Sequence, residues 1–245
     1  MSVTLEKLET LVKNEFSEHP FSKGISTSNV ENVLLNLLAV SQAFPYIQAG
    51  SQGPLIESVL NGQAQVDSSF EMTSVVGNFL SWDETGGAYI LSEFGIEGLS
   101  KILDTDKRFH ANILKRDIQK LLAKQVAPLY SPDTIEYLKA LFKSLSSQNA
   151  IERVAAMVAF EHHAGELIEN LWCSLCQLYD IPKEELTYFL IHVGGDNPAE
   201  VHHMEMTRSM ISHSLNSPED MDDFTSFFMA SYKRNINWSN AVKVV

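Results

Sequence analysis

Apolar residues recur at intervals of three and four along most of the chain. One segment places Leu34, Leu35 and Leu38 at this spacing, and another places Ile151 and Val154. Alternation of apolar and polar residues between glycine or asparagine turns, which is typical of strands, is nearly absent. The pattern therefore predicts an all-α protein.

Capping signals mark several of the predicted helix starts. Asp133 is followed by Glu136 at the capping-box spacing, and Ser217 precedes a proline at the first helical position. Pro45 lies within an otherwise helical pattern and is expected to kink or end that helix. Together these signals predict ten helices, at about residues 4–17, 28–49, 67–82, 88–103, 107–126, 132–146, 149–179, 183–193, 198–215 and 218–233.

The length of 245 residues fits one large or two small domains. No internal repeat, low-complexity tract or long Gly/Ser/Pro linker divides the predicted helices. We therefore expect a single helical domain over residues 1–245, folded as a compact multi-helix bundle.

The chain is acidic, with 18 Lys and Arg against 31 Asp and Glu and a formal net charge of -13. A surface that binds nucleic acid or anionic lipid needs clustered basic residues, and no such cluster is visible. The N-terminal segment is charged and lacks an apolar signal core, and no uninterrupted apolar run approaches membrane-spanning length. We expect a cytoplasmic protein with no nucleic-acid or membrane partner.

The two cysteines, Cys173 and Cys176, form a single CxxC. Such a pair fits a redox site, half of a zinc site, or two core residues on a helix. The pair lies inside the continuous helical run LIENLWCSLCQLY, without a glycine-rich turn or a second CxxC, so core packing is favoured. A secreted disulfide scaffold is disfavoured.

A carboxylate interrupts an apolar stripe on the helix predicted at 149–179. The members of the stripe follow steps of four and three: Val154, Val158, Glu161, Gly165, Ile168, Trp172 and Leu175. A carboxylate on a buried face must be protonated, paired with a basic residue of another helix, or bound to a cation, because an isolated buried charge is costly. His162 and His163 follow directly, but consecutive helical residues point about 100° apart, so all three side chains cannot address one ion. His162 is also spaced to pair with Glu166 on the surface.

The segment YFLIHVGGDNPAEVHH, residues 188–203, allows two registers. In one continuous helix, His192, Asp196 and His203 would share a face, but the Gly-Gly-Asp-Asn-Pro sequence between them disfavours continuity. If the helix breaks there, Glu200 and His203 form an i, i+3 carboxylate–histidine pair of the kind that di-iron bundles present, and His192 approaches from the preceding segment. Both acids also fit a helix-capping role.

A further helix end, NFLSWDETGG, carries the adjacent acids Asp83 and Glu84 before a Gly-Gly turn. Adjacent acids at a helix end are usually solvated. The turn lacks a following phosphate-loop pattern, so it is weak evidence for an anion site.

Taken together, the motifs NFLSWDETGG, AFEHH, YFLIH and EVHH resemble the CADD and PqqC-like branch of the heme-oxygenase-like (TenA/PqqC) helical proteins, over residues from about 75 to 210. The resemblance implies a seven-helix bundle around a central pocket, often dimeric. In many members of the group two irons activate dioxygen. Carried over by position, the resemblance implies that Glu84, Glu161, His192 and His203 are metal ligands.

The last family motif, H-x3-D-x2-H, matches this chain in two ways. Asp196 keeps the spacing from His192, whereas Glu200 keeps the spacing to His203, as if about one helical turn had been inserted between the histidines. Glu200 is favoured, because EVHH reproduces the D-x-x-H step.

The chain departs from the family where many di-iron members carry a histidine seven residues after the first glutamate. That position is Leu91. The corresponding iron would be absent, lack its nitrogen ligand, or take one from His110, His162 or His163.

The leading hypothesis is a metal-dependent oxidase or oxygenase that acts on a small organic substrate with dioxygen. Its cofactor would be Fe(II), as one or two ions, with manganese as the alternative metal, and the resemblance also implies a homodimer. The second hypothesis is a cofactor-free PqqC-like oxidase, and the third is a non-catalytic helical binding protein. A TenA-type hydrolase is disfavoured, because neither cysteine lies in a matching nucleophile motif.

Overall fold

The structure is a computed structural model that describes residues 5–16, 18–195, 197 and 199–244. The described residues contain no strand, and the all-α prediction is confirmed. Twelve α-helices, numbered here α1 to α12, are Leu5–Phe16, Val30–Gly50, Gln52–Leu60, Ser68–Glu84, Gly87–Phe94, Thr105–Arg108, His110–Leu122, Pro132–Leu145, Ala150–Tyr179, Thr187–Val193, Glu200–Ser214 and Pro218–Lys243.

The predicted helices and the observed ones differ mainly in where helices are interrupted. The helix predicted at 88–103 is α5 followed by a 3₁₀ helix over Ile96–Leu103, because Gly95 adopts a positive φ of 64° between them. The one predicted at 107–126 is divided at Phe109 into α6 and α7, and the one predicted at 183–193 begins as a 3₁₀ turn. The short helix α3 was not predicted, and α12 extends ten residues beyond its predicted end at 233.

Helix α2 continues through Pro45 to Gly50, close to the predicted span of 28–49, so the alternative that the proline ends the helix is wrong. Proline has no N–H to donate to the carbonyl four residues earlier, which is that of Ser41. The neighbouring side chains Phe44 and Gln48 are both buried, so tertiary packing outweighs the local cost of the proline.

Helix α9 is the central element of the bundle, and it packs against α8, α10, α11 and α12. Its C-terminal half joins α2, α7 and α10 in one hydrophobic cluster, which includes Leu34, Leu114 and Leu171. Its N-terminal half joins α4 and α12 in a second cluster, which includes Val154 and Phe228. Glu161 lies on α9 between the two clusters, at the middle of the bundle.

The stretch 30–60 is apolar and long enough to pass a membrane-span test, and among the described residues it is the one stretch that does so. Its most apolar window is 61% buried within the fold. Burial by neighbouring helices explains its hydropathy as that of a core element, since helices that are apolar all round lie in the interior of a protein or in a membrane.

The Gly-Gly turn after α4 is required by close packing. Gly86 adopts a φ of 87°, and a Cβ there would lie 2.5 Å from the carbonyl oxygen of Arg108. A Cβ on Gly87 would lie 2.1 Å from the indole ring of Trp82. The turn thus brings α5 against the end of α4, next to Asp83 and Glu84.

We predict that Gly87→Ala destabilises the protein by about 1–3 kcal/mol, because the added methyl group overlaps the Trp82 ring and forces a shift. The matched control is Gly53→Ala, in α3, where a Cβ meets nothing within 4 Å. That substitution should be neutral or stabilising by about 0.5–1 kcal/mol. Urea denaturation gives the free energy of unfolding of both variants, and equal stability of Gly87→Ala and wild type would contradict the prediction.

Candidate metal centre

The first ligand group, called here the Glu84 group, joins the ends of three helices. It consists of Glu84 from α4, His110 from α7 and His192 from α10. Oε2 of Glu84 lies 3.5 Å from Nδ1 of His110, and Oε1 lies 3.4 Å from Nε2 of His192. All three side chains are at least nine-tenths buried.

The second ligand group, called here the His203 group, consists of Asp83, Glu161, Glu200 and His203. The ring of His203 lies between two carboxylates, with Nε2 3.1 Å from Oδ2 of Asp83 and Nδ1 3.1 Å from Oε2 of Glu161. Glu200, one turn earlier on α11, is 3.9 Å from the same Nδ1. The two groups adjoin, because Asp83 and Glu84 are consecutive residues.

The charges of the Glu84 group are strongly coupled. Burial disfavours ionisation of Glu84, but the neighbouring His110 and His192 outweigh it and hold the pKa of the carboxyl well below its usual range. Burial also disfavours the charged form of His192, but the hydrogen bond and negative charge of Glu84 prevail and raise its pKa to about 9. In this structure Glu84 and His192 form a buried ion pair.

In the His203 group, burial disfavours the imidazolium, but hydrogen bonds to Asp83 and Glu161 outweigh it and raise the pKa of His203 to about 11. Burial raises the pKa of the Glu200 carboxyl to about 7 against the lowering effect of His203. The group contains more acids than its single imidazolium balances. A cation is the natural complement to such a set.

Two buried polar atoms in these groups have no hydrogen-bond partner among the described residues: Nδ1 of His110 and Oδ1 of Asp83. Other ligand atoms are already oriented. The backbone carbonyl of Tyr188 accepts the Nδ1–H of His192 at 2.8 Å, and the side-chain amide of Asn197 donates to Oδ2 of Asp83 at 2.9 Å. Such outer contacts commonly orient metal ligands, and unpartnered buried donors and acceptors mark places where an ion fits. The residues therefore fit a bound metal.

A cavity of about 200 Å³ opens beside the two groups. Glu84, Glu161, His192, Glu200 and His203 contribute to its wall. Most of the remaining wall is apolar: Leu37, Val40, Phe44, Phe160, Leu167 and Ile168. The cavity is smaller than the roughly 300–1,000 Å³ typical of sites for drug-sized ligands, so it suits a small molecule.

Solved structures match this arrangement of helices over nearly the whole chain. A CADD-like protein of unknown function from Nostoc punctiforme superposes with a TM-score of 0.68 at 15% identity, covering 98% of this chain and 95% of its own. A domain of unknown function with a heme-oxygenase-like fold, from Shewanella denitrificans, gives a TM-score of 0.60 at 14% identity. The match covers 98% of this chain and 92% of the Shewanella chain. This chain has the heme-oxygenase-like fold. A scan against protein-family models and a search of the curated proteins found no match.

Within the heme-oxygenase-like fold, five of the six residues singled out as ligands from the sequence line one cavity: Glu84, Glu161, His192, Glu200 and His203. The sixth, Asp196, lies outside the described residues. Helix α10 ends at Val193 and α11 begins at Glu200, so the interrupted register is observed and the continuous helix is wrong. Glu200 and His203 share the first turn of α11.

Sequence reasoning missed the role of Asp83. The local sequence favoured solvation of the adjacent acids Asp83 and Glu84, and only the family resemblance singled out Glu84 as a ligand. Both Asp83 and Glu84 are buried, and Asp83 is only 1% exposed. Trp82 and the Gly-Gly turn cover this helix end, and they were the available signal.

His110 was one of three candidates for the nitrogen ligand that Leu91 does not supply. It is the one that lies in the Glu84 group, at the first position of α7. Leu91 itself is 45% exposed. The expected pair of His162 with Glu166 is absent among the described residues, and Glu166 accepts a hydrogen bond from the Tyr232 hydroxyl at 2.7 Å instead.

Both cysteines are unpaired and half-buried on α9. Cys176 packs against the hydrophobic cluster of α2, α7 and α10, in keeping with the favoured core role. The thiol of Cys173 lies 3.5 Å from a carboxylate oxygen of Glu169.

His163 is buried on α9 and forms a pair with His19, from the turn that precedes α2. Their Nε2 atoms are 3.1 Å apart. Burial, assisted by the charge of Lys243, lowers the pKa of His19 to about 4. Burial also lowers the pKa of His163 well below its usual value. The pair is therefore neutral in the folded protein at neutral pH.

We predict that His19→Gln makes stability less sensitive to acid. The pKa of His19 is lower in the folded chain than the unperturbed 6.5, so the unfolded chain binds the proton first as pH falls. Its contribution is complete above about pH 6.5, falls by roughly 1.4 kcal/mol per pH unit, and is lost below about pH 4. Urea denaturation between pH 4.5 and 7.5 measures the difference, and parallel pH profiles for variant and wild type would contradict the prediction.

Proposed function

We propose that the protein is a metal-dependent oxidase or oxygenase that holds Fe(II) at one or two sites and acts on a small organic substrate with dioxygen. The observation that carries the proposal is the meeting of the Glu84 group and the His203 group at one cavity. The heme-oxygenase-like fold and the motif resemblance support the same function.

The chemistry of the donor atoms favours iron. The Glu84 group offers two imidazoles and one carboxylate, the set that non-heme Fe(II) oxygenases use with open coordination positions. The His203 group is richer in carboxylates, which stabilise the higher oxidation state of iron and also suit manganese. Neither group contains a thiolate.

When bound, Fe(II) would supply the electrons that dioxygen accepts. The residues of the chain would orient the metal ligands and keep water away from the site. Tyr188 keeps the Nδ1–H of His192 on its backbone carbonyl, so Nε2 is the nitrogen that remains available to a metal. Asn197 fixes the Asp83 carboxylate, and the apolar wall excludes water from the space beside both groups.

We predict that His110→Ala removes the ion of the Glu84 group and leaves the other, so that metal content falls by about one ion per chain, since a two-ligand remnant binds poorly. Mass spectrometry after anaerobic Fe(II) loading measures the content. The matched control is His162→Ala, because His162 also lies near the centre of the bundle but packs against the rings of Phe228 and Tyr232. Equal metal content in both variants would contradict the assignment.

Adding Leu91→His to the His110→Ala variant tests the same assignment from the other direction. Position 91 is about half exposed, so a histidine there should not restore the ion. Recovery of metal in the double variant would contradict this expectation and show that position 91 reaches the site and can replace His110.

A specific observation favours a second candidate, the cofactor-free oxidase. His203 hydrogen-bonds through both ring nitrogens to Asp83 and Glu161, so both nitrogens have a partner without a metal. This network would move protons while a quinoid substrate itself reacts with dioxygen.

Chelation separates the two candidates. If the protein depends on iron, oxygen uptake by the Fe(II)-loaded protein, followed with a dissolved-oxygen electrode, should stop after removal of the metal and return on adding Fe(II). His110→Ala should slow it by roughly 10–100-fold or more. Uptake with an added hydroquinone that survives chelation but is lost in His203→Ala would favour the cofactor-free reaction and contradict the metal-dependent one.

A further inference from the structure

The hydrogen bonds of His19 fix the position of its proton. Nδ1 of His19 accepts the backbone N–H of Phe21 at 3.2 Å, so that nitrogen carries no proton. A neutral imidazole then has its proton on the other nitrogen. The Nε2–H of His19 therefore points at Nε2 of His163, 3.1 Å away.

His163 takes the complementary form. Its Nε2 accepts from His19, and the nearby Ser239 hydroxyl, 3.4 Å away, already donates to the carbonyl of Asn235. The proton of His163 must then be on Nδ1. In the part of the chain that the structure describes, the hydrogen bonds of His163 involve Nε2 and none involves Nδ1, although His163 is 97% buried and lines the cavity.

Among the described residues, the cavity around His163 has no unpaired cationic side chain, because the imidazolium rings of His192 and His203 in its wall are already paired with carboxylates. No Lys or Arg contributes to its wall in the described part of the chain, whereas three glutamates do. An anionic ligand group placed near His163 would find no free counter-charge and would lie in the same cavity as the three glutamates, so the cost of burying it would be high. An uncharged oxygen that accepts the Nδ1–H would satisfy the donor at little cost.

We infer that His163 determines specificity: the cavity takes a small, uncharged, largely apolar molecule with one carbonyl or hydroxyl oxygen, and that oxygen accepts the Nδ1–H of His163. The inference rests on the proposed function in treating the cavity as the substrate site. Rings are well suited to it, because Phe44 and Phe160 form a stacked pair at 4.3 Å in its wall. His19 is a positioning residue that holds His163 in the required tautomer.

Acetophenone and α-methylstyrene are matched probes, because they have nearly the same shape and only acetophenone has an oxygen. Binding is measured on chelator-treated protein by calorimetry, or by tryptophan fluorescence, since Trp238 lines the cavity. His163→Phe should weaken the binding of acetophenone by about tenfold, the effect of one lost hydrogen bond, and leave the binding of α-methylstyrene nearly unchanged. His162→Phe, the control, should change neither. Benzamide should bind at least about tenfold more tightly than benzoate.

The inference is overturned if acetophenone does not bind, if His163→Phe affects both probes equally, or if benzoate is preferred. Nitrogen-15 spectra of the histidine rings provide a check independent of ligands. They should show His163 protonated at Nδ1 in wild type and a loss of that single form in His19→Leu, and protonation at Nε2 in wild type overturns the inference. Metal content measured in parallel separates the two hypotheses, because a failure to bind iron would contradict the proposed function and leave the probe preference intact.

Discussion

The structure depends on the placement of four carboxylates, two buried and two partly buried, at the centre of a helical bundle. Asp83, Glu84, Glu161 and Glu200 come from three helices, and each is costly to bury without compensation. Histidines from three helices provide that compensation, so the charge pairing of the site depends on how the helices of the bundle pack. A shift in any of the contributing helices would leave a buried charge unpaired, which constrains how these elements can move.

Local features of the chain serve this convergence. The Gly-Gly turn allows α5 to fold back on Trp82 and seals the end of α4, where two of the acids lie. The interruption between α10 and α11 separates His192 from His203, so that each reaches a different ligand group. A single helix through this region would have presented both histidines on one face.

Periodicity and capping were sufficient to predict the helical class and most helices, because both depend on residues near in sequence. Glu161 was recognisable for the same reason, since a lone acid in an apolar stripe needs compensation. Asp83 was not singled out, and His110 was only one of three candidate nitrogen ligands, because what makes each special is its contact with a side chain from another helix. The alternative that Pro45 ends its helix failed in the same way, since packing of α2 by its neighbours overrides a local cost.

The two sides of the cavity differ in the charge of their side chains. On one side, protons on His192 and His203 offset part of the acidic charge, and a divalent cation would take the place of those protons. On the other side, burial keeps His19 and His163 neutral, so the cavity wall there is polar without being charged. A molecule bound between them would meet a region suited to a metal and a region suited to an uncharged oxygen. Because of this difference, a substrate would bind in one orientation, with the same end always facing the reacting centre.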